Sequence, residues 1–244
     1  MDFSPSKHIT VEKYYDYHKY GDFMACYSLR DGVITLASLG DRVLYQGEGN
    51  ISPLPAQLMY PSKYIDVYLE SVDPKVIRMF KEEGFRNGTL FLQGFTDGKD
   101  FRFFEMGYRQ NGSQQFVLTD YFNKTNALKE AIRFALTGSV DTSAPERDDA
   151  CFPQPACNLV IYLQQGVVGK ITGIEDVLQM PEVINYTPWI REGDTVGAKG
   201  TLGQSLLRFH VIGRDETHLA NTIGKIRNIV KVYDDCGAPM VIEL

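Results

Sequence analysis

Residues 89–109 read TLFLQGFTDGKDFRFFEMGYR and predict a β-hairpin. An apolar strand leads into residues 96–98, whose Thr-Asp-Gly sequence favours a turn, and residues 101–106 form the return strand. Gln93 lies on the outgoing strand and Glu105 on the returning one. The hairpin therefore places an amide oxygen and a carboxylate close together.

Arg109 follows the return strand and adds a guanidinium to this pair. Mg²⁺ in proteins takes one or two carboxylates and completes its octahedron with phosphate oxygens and water. An arginine binds phosphate through two parallel hydrogen bonds. The three side chains therefore suit Mg²⁺ held on a polyphosphate. The alternative left open is an exposed Glu105 with Arg109 as its surface ion-pair partner.

The order of these residues resembles the signature of the ATP-grasp superfamily, which includes carboxylate–amine ligases, biotin-dependent carboxylases and the carbamoyl phosphate synthetase large subunit. The resemblance implies that Gln93 is the first metal ligand, Glu105 the bridging metal ligand and Arg109 the phosphate-binding arginine. Gly107 departs from the family pattern, which usually has asparagine there as a further ligand. ATP and Mg²⁺ are the cofactors implied.

Length and composition agree with a globular protein of one large or two modest domains. The chain has 244 residues, 43% of them hydrophobic and 23% charged, with a net charge of −6. This acidic balance argues against nucleic acid as a partner, and no apolar run is long enough to span a membrane. The four cysteines are scattered and indicate free thiols, so we expect a cytoplasmic protein.

A second part of the resemblance lies near the start of the chain. Residues 9–14 alternate and predict a short strand that resembles the family's hinge, in which Glu12, Lys13 and Tyr14 would hold the adenine. Asp22 stands where the family has a carboxylate for the ribose hydroxyls, a role that its two oxygen acceptors permit. The alternatives from the residues alone are a packed aromatic linker and a turn aspartate.

The next hairpin provides one more candidate. Residues 23–29 and 33–38 flank an Asp-Gly turn, and the family has a charged residue after this hairpin that faces substrate or phosphate. Arg42 is the candidate for that catalytic role.

The remaining pattern predicts an α+β fold with an antiparallel sheet, flanking helices and a smaller α+β domain at the carboxyl end. Helices are expected at residues 62–69, 73–84, 126–137 and after Asp215. A strand is expected at 115–118, and 158–163 with 167–171 are expected to form a hairpin. The glycine-spaced stretch 193–203 lacks the Gly-Lys-Ser/Thr ending of a phosphate loop and is interpreted as turns.

The resemblance implies three parts: a large ATP-grasp lobe at 1–140, a linker at 141–157 and a carboxyl-terminal domain of the ligase at 158–244. Complete family members also have an amino-terminal domain and a small lobe that clamps the phosphates. Too few residues precede Ile9 to hold them. We therefore expect the chain to be incomplete and inactive by itself, with a separate amino-terminal part or a homo-oligomer left open.

Two functional hypotheses follow. In the first, the chain is part of an ATP-dependent ligase that activates a small carboxylate as an acyl phosphate for attack by an amine. In the second, it is a noncatalytic or degenerate ATP-grasp-like module, or a subunit of a split enzyme. The ordered set of site residues favours the first, and Gly107 favours the second.

Overall fold

A computed structural model describes residues 8–9, 11–16, 19–45, 47, 53–140, 147–197 and 199–243. Its main element is an antiparallel sheet of eight strands in the order β5-β4-β1-β2-β3-β6-β9-β8, and β7 pairs with β10 in a separate ribbon. The strands are β1 Gly21–Arg30, β2 Val33–Tyr45, β3 Leu54–Tyr60, β4 Gly88–Thr96, β5 Phe101–Gly107, β6 Ala156–Tyr162, β7 Val168–Thr172, β8 Val183–Pro188, β9 Ser205–Ile212 and β10 Lys231–Asp234.

Six α-helices accompany the sheet within the described residues, so the predicted α+β class is confirmed. They are α1 Ile65–Ser71, α2 Asp73–Glu82, α3 Phe116–Asn123, α4 Ala127–Thr137, α5 Ile174–Leu178 and α6 Glu216–Ile229. Gly138 ends α4 in a left-handed conformation and Asp215 caps α6, as the sequence predicts, while Asn126, expected inside the helix, is the cap of α4. A search of the described helices finds none with the length and apolar character that a membrane crossing requires.

The two faces of the sheet carry different chemistry. One face is covered by helices: α1 and α2 pack on β1, β2 and β4, while α5 and α6 pack on β6 and β9. Because side chains alternate along a strand, β1 points Phe23 and Tyr27 into this helical layer and turns Asp22 and Met24 to the opposite face. The opposite face is only partly covered, by α3, and there the candidate site lies.

The sheet runs without a break across the predicted linker. β3 pairs with β6 from Gln57↔Leu159 to Tyr60↔Ala156. Strands of the predicted lobe and of the predicted carboxyl-terminal domain therefore belong to one sheet. Residues 141–146 of the linker lie outside the described residues, and the division into lobe, linker and domain stays a prediction.

Three element predictions are wrong. No strand forms in the described part of residues 9–14. Residues 115–118 begin helix α3, whose Leu118 and Phe122 lie one turn apart on the same apolar core. The expected hairpin at 158–171 does not form, because β6 is already paired with β3 on one side and β9 on the other. Strand β7 pairs with β10 instead.

A buried carboxylate fastens the segment that returns to the sheet before β6. The Asp148 side chain is 1% exposed and accepts hydrogen bonds from the hydroxyls of Ser28, Thr35 and Thr125. The Arg30 guanidinium lies 3.4 Å from the same carboxylate. One side chain thus joins strands β1 and β2 to the chain on either side of α4, an arrangement in which losing one partner leaves the others poorly satisfied.

Replacing this carboxylate tests its role as a fastener. Asp148→Ala should lower the free energy of unfolding by about 3–5 kcal/mol, because it leaves a buried cation and three hydroxyls without their shared acceptor. The neighbouring Asp149→Ala is the control: its carboxylate accepts one bond, from the Cys151 amide, so its loss should cost about 1 kcal/mol. Urea unfolding of both variants decides it, and equal losses would contradict the prediction.

Candidate active site

A cavity of about 620 Å³ opens on the partly covered face of the sheet. Side chains from β1, β2, β3 and β4 line one end, and side chains from β6, β9 and the residues after β8 line the other. The loop at 111–113 forms part of its wall. The cavity therefore lies where the two halves of the continuous sheet meet.

A buried cluster at one end joins three of the predicted residues. The Nη1 atom of Arg42 lies 3.1 and 3.2 Å from the two carboxylate oxygens of Asp22, and 3.3 Å from Gln93 Oε1. Asp22 and Arg42 are direct partners in the β1–β2 register, and Met24 pairs with Gln93 in the β1–β4 register. Three neighbouring strands thus hold carboxylate, guanidinium and amide together.

The ionisation of Asp22 reflects its burial. Burial raises the pKa of Asp22 from 3.8 to about 6, and the nearby charge and hydrogen bond of Arg42 lower it again only in part. Its side chain is 5% exposed. Asp22 is thus an ion-pair partner at neutral pH that becomes neutral in mildly acidic solution.

Glu105 and Gln93 face each other across the hairpin, as the sequence predicts. They are direct partners in the β4–β5 register, so both side chains leave the sheet on the same face, about 5 Å apart at Cβ. Glu105 is exposed and has no hydrogen bond or ion pair within the described part of the chain. A free carboxylate beside an amide oxygen fits one Mg²⁺ that also binds substrate phosphates.

The ion pair between Glu105 and Arg109 is not formed. Arg109 instead places its guanidinium 4.8 Å from the centre of the Phe91 ring and donates to the Gln110 carbonyl. Phe91 lies two residues before Gln93 on the same strand, so Arg109 sits on the face that carries Gln93 and Glu105. The structure brings these three residues to one region of the sheet.

The same phenylalanine explains the glycine at position 107. A Cβ atom built on Gly107 would lie 2.3 Å from Phe91 Cε1, and the Phe91 side chain is 2% exposed. The ring thus occupies the space in which a residue-107 side chain would lie. Gly107 is required by packing, and an asparagine ligand does not fit beside Phe91.

The predicted hinge residues form no strand, and their segment lies near the Asp22 cluster. Glu12, Lys13 and Tyr14 lie in irregular chain, and Tyr14 is 77% exposed. Their neighbour Tyr15 stacks on Phe95 with ring centres 6.0 Å apart. Phe95 is the direct β4 partner of Asp22, so this segment contacts the sheet directly beside Asp22.

The sequence prediction missed the other end of the cavity. Arg208 of β9 stacks on the Trp189 ring at 4.9 Å and donates to the Gly112 carbonyl at 2.6 Å. Burial lowers the pKa of Arg208. The signal available was an arginine between Leu207 and Phe209, since a charged residue between core positions of a strand must point to the opposite face.

Comparisons with known proteins support the fold. An L-amino acid ligase from Bacillus licheniformis superposes with a TM-score of 0.72 at 14% identity, over 89% of this chain and 52% of that one. A phosphoribosylglycinamide synthetase from Anaerococcus prevotii superposes with a TM-score of 0.75 at 12% identity, over 88% of this chain and 53% of that one. For a biotin carboxylase from Campylobacter jejuni the TM-score is 0.68 at 10% identity, and the superposition covers 94% of this chain and 48% of that one.

The chain has the ATP-grasp fold. It spans about half the length of the three solved structures described above. No family model and no curated protein matches the sequence. The ATP-grasp resemblance expected from residues 89–109 is therefore confirmed at the level of the fold, while the roles of individual site residues stay predictions.

The packing of Gly107 can be tested directly. Gly107→Ala should lower the free energy of unfolding by about 1–3 kcal/mol, because the new methyl group overlaps the buried Phe91 ring. Gly107→Asn should lower the free energy of unfolding by at least as much, and it should not tighten Mg²⁺ binding. Gly112→Ala is the matched control, because its Cβ would meet no atom within 4 Å. Chemical unfolding measures all three, and a Gly107→Ala variant as stable as Gly112→Ala would contradict the packing account.

The raised pKa of Asp22 predicts a pH dependence of stability. The folded pKa of about 6 exceeds the unfolded 3.8, so the folded state binds more protons between these values. Relative to Asp22→Asn, the wild type should therefore lose stability as the pH rises from 4 to 6, by at most about 3 kcal/mol at 1.36 kcal/mol per pKa unit. Urea unfolding of both proteins across this range measures the difference. A wild type that gains stability relative to the variant would show that the Arg42 ion pair outweighs burial.

Proposed function

We propose that this chain is part of an ATP-dependent, Mg²⁺-requiring ligase that activates a small carboxylate as an acyl phosphate for attack by an amine or similar nucleophile. The observation that supports this most is the grouping of Asp22, Arg42, Gln93 and Glu105 on one face of an ATP-grasp sheet, beside a cavity. The comparison structures include a Campylobacter jejuni biotin carboxylase complex with an ATP compound and a Hydrogenobacter thermophilus carboxylase domain with MgADP.

In this proposal the chain positions charge for phosphoryl transfer. Glu105 and Gln93 would hold Mg²⁺, which neutralises and orients phosphate oxygens when bound. Arg42 and Arg109 would face the transferring phosphoryl group, where fixed guanidinium groups stabilise developing charge. A substrate carboxylate oxygen then attacks the γ-phosphorus, ADP leaves, and an amine displaces phosphate from the acyl phosphate.

The nucleotide base and sugar would lie toward the amino-terminal segment. Tyr15 and Phe95 offer an aromatic surface there, next to the main chain of residues 12–14. Asp22 remains the candidate for the ribose hydroxyls. Since both of its oxygens face Arg42, we also assign it a positioning role, in which it fixes the arginine at the cavity.

One specific observation favours the noncatalytic alternative. Gly107 is held by packing against Phe91, so this position supplies no further metal ligand. Such a module would bind nucleotide without turning it over, and a separate amino-terminal part or a second copy would be its partner. Small carboxylates and amines are the substrates only under the catalytic proposal.

The decisive experiment measures ADP formation by the natural polypeptide that carries this chain, with Mg²⁺ and a panel of carboxylic acids and amines. Glu105→Gln should reduce turnover by about 100-fold or more while keeping the fold, because it removes charge without changing shape. Glu83→Gln, an exposed glutamate just after α2, is the matched control and should leave turnover unchanged.

Two results would count against the proposal. Nucleotide binding with no acid-dependent ADP formation would favour the noncatalytic module. Unchanged turnover and Mg²⁺ dependence in Glu105→Gln would show that Glu105 is only a surface carboxylate.

A further inference from the structure

The two charged side chains that line the cavity differ in their pairing. Arg42 is matched by the carboxylate of Asp22 at 3.1 Å. Within the described residues Arg208 has no carboxylate partner, and its guanidinium donates one hydrogen bond, to the Gly112 carbonyl. Its Nε atom is buried and has no acceptor within that same part of the chain. A guanidinium has five N–H donors, so most of the hydrogen-bonding capacity of this cavity-lining arginine is unused.

Apolar side chains surround this arginine. Trp189 stacks against it, and Ile190, Val160 and Leu202 line the cavity beside it. Trp189 is 43% and Leu202 64% exposed, although both are large apolar residues. Exposed apolar groups gathered at a cavity mouth mark a surface that a ligand covers.

The backbone holds this apolar wall in place. The amides of Trp189 and Ile190 both donate to the Leu206 carbonyl of β9. Leu202 begins a short 3-10 helix that ends at the buried Gln204, whose side chain accepts from the Gly200 amide and donates to the Leu163 carbonyl. Within the described residues of 193–203, turns are present as predicted, together with a β-bridge at Thr195, and the short 3-10 helix fixes Leu202 at the mouth.

We propose that the Arg208 end of the cavity binds the carboxylate substrate, and that it selects organic acids with an aromatic or branched apolar tail. The carboxylate accepts hydrogen bonds from Arg208, and the tail covers Trp189, Ile190 and Leu202. One unpaired cation suits a monoanion better than a polyphosphate, which needs several positive groups. The inference rests on the proposed function where it calls the bound acid the substrate, but the binding itself requires neither ATP nor Mg²⁺.

Trp189 is the single tryptophan of the 244-residue chain, so its fluorescence reports on this site alone. We expect 3-phenylpropionate to change the emission of the nucleotide-free chain in a saturable manner. Acetate, which lacks the tail, should bind at least about 10-fold more weakly. The neutral 3-phenylpropionamide should also bind about 10-fold or more weakly, since it loses a charge-assisted hydrogen bond.

Two pairs of variants separate the charge from the apolar wall. Arg208→Met should bring the acid-to-amide affinity ratio close to 1, whereas Arg78→Met, on the exposed side of α2, should leave it unchanged. Leu202→Asn should weaken 3-phenylpropionate about fivefold without affecting acetate, whereas Leu178→Asn on α5 should change neither. If thermal melting shows that Arg208→Met is unfolded, Arg208→Lys is used instead. This variant keeps the charge and should retain part of the preference for the acid over the amide.

The results discriminate sharply. Equal affinity for acid and amide in the wild type, equal affinity for acetate and 3-phenylpropionate, or no change in emission confirmed by an absence of heat in calorimetry would each overturn the inference. A chain that binds these acids as described but never forms ADP would refute the proposed ligase activity and leave the acid site in place. A chain that turns over ATP without this acid preference would overturn only the present inference.

Discussion

The pairing of β3 with β6 is the constraint on which the site depends. Through four residue pairs it joins five strands that precede the predicted linker to three that follow it. Beyond Gln57 the two strands diverge, and the Tyr162 hydroxyl bridges the gap by donating to the Pro55 carbonyl. The cavity is lined by residues from both sides of this junction. If this pairing were absent, the distance between Arg42 and Arg208 would depend on loop contacts and side-chain packing alone.

The loop after the β4–β5 hairpin strengthens the same junction. Asn111 donates to Cys26 on β1, while the carbonyls of Gly112 and Ser113 accept from Arg208 and Asn158. Gln114 accepts from Thr187 on β8. Residues immediately beyond Arg109 are therefore bonded to strands of both halves. This explains how a hairpin near one edge of the sheet keeps a defined relation to the cavity, since these bonds from residues 111–114 satisfy polar groups that would be costly to leave without partners.

Local patterns allowed much of the fold to be predicted, and long-range pairing accounts for most of what was wrong. The Asp-Gly turn before β2, the Gly138 end of α4, the Asp215 cap of α6 and the facing of Gln93 and Glu105 all depend on neighbours within a few residues or on one hairpin. Strand β6 could not be paired correctly from sequence, because its partners lie about 50 to 100 residues away on either side. The apolar run at 115–118 was too short for its periodicity to distinguish a strand from a helix.

The same contrast between local patterns and long-range pairing applies to the candidate site. Gln93, Glu105 and Arg109 could be proposed together because they lie in or directly after one hairpin. Arg208 lies in a strand whose face is known only once β8 and β9 are paired. The ion pair between Asp22 and Arg42 also changes what each residue can do. A guanidinium already neutralised by a buried carboxylate contributes direction more than net charge, so a single additional anion is drawn more strongly to the unpaired Arg208. The two ends of the cavity thus differ in charge although each presents one arginine, and under the proposed function that difference would orient an anionic substrate.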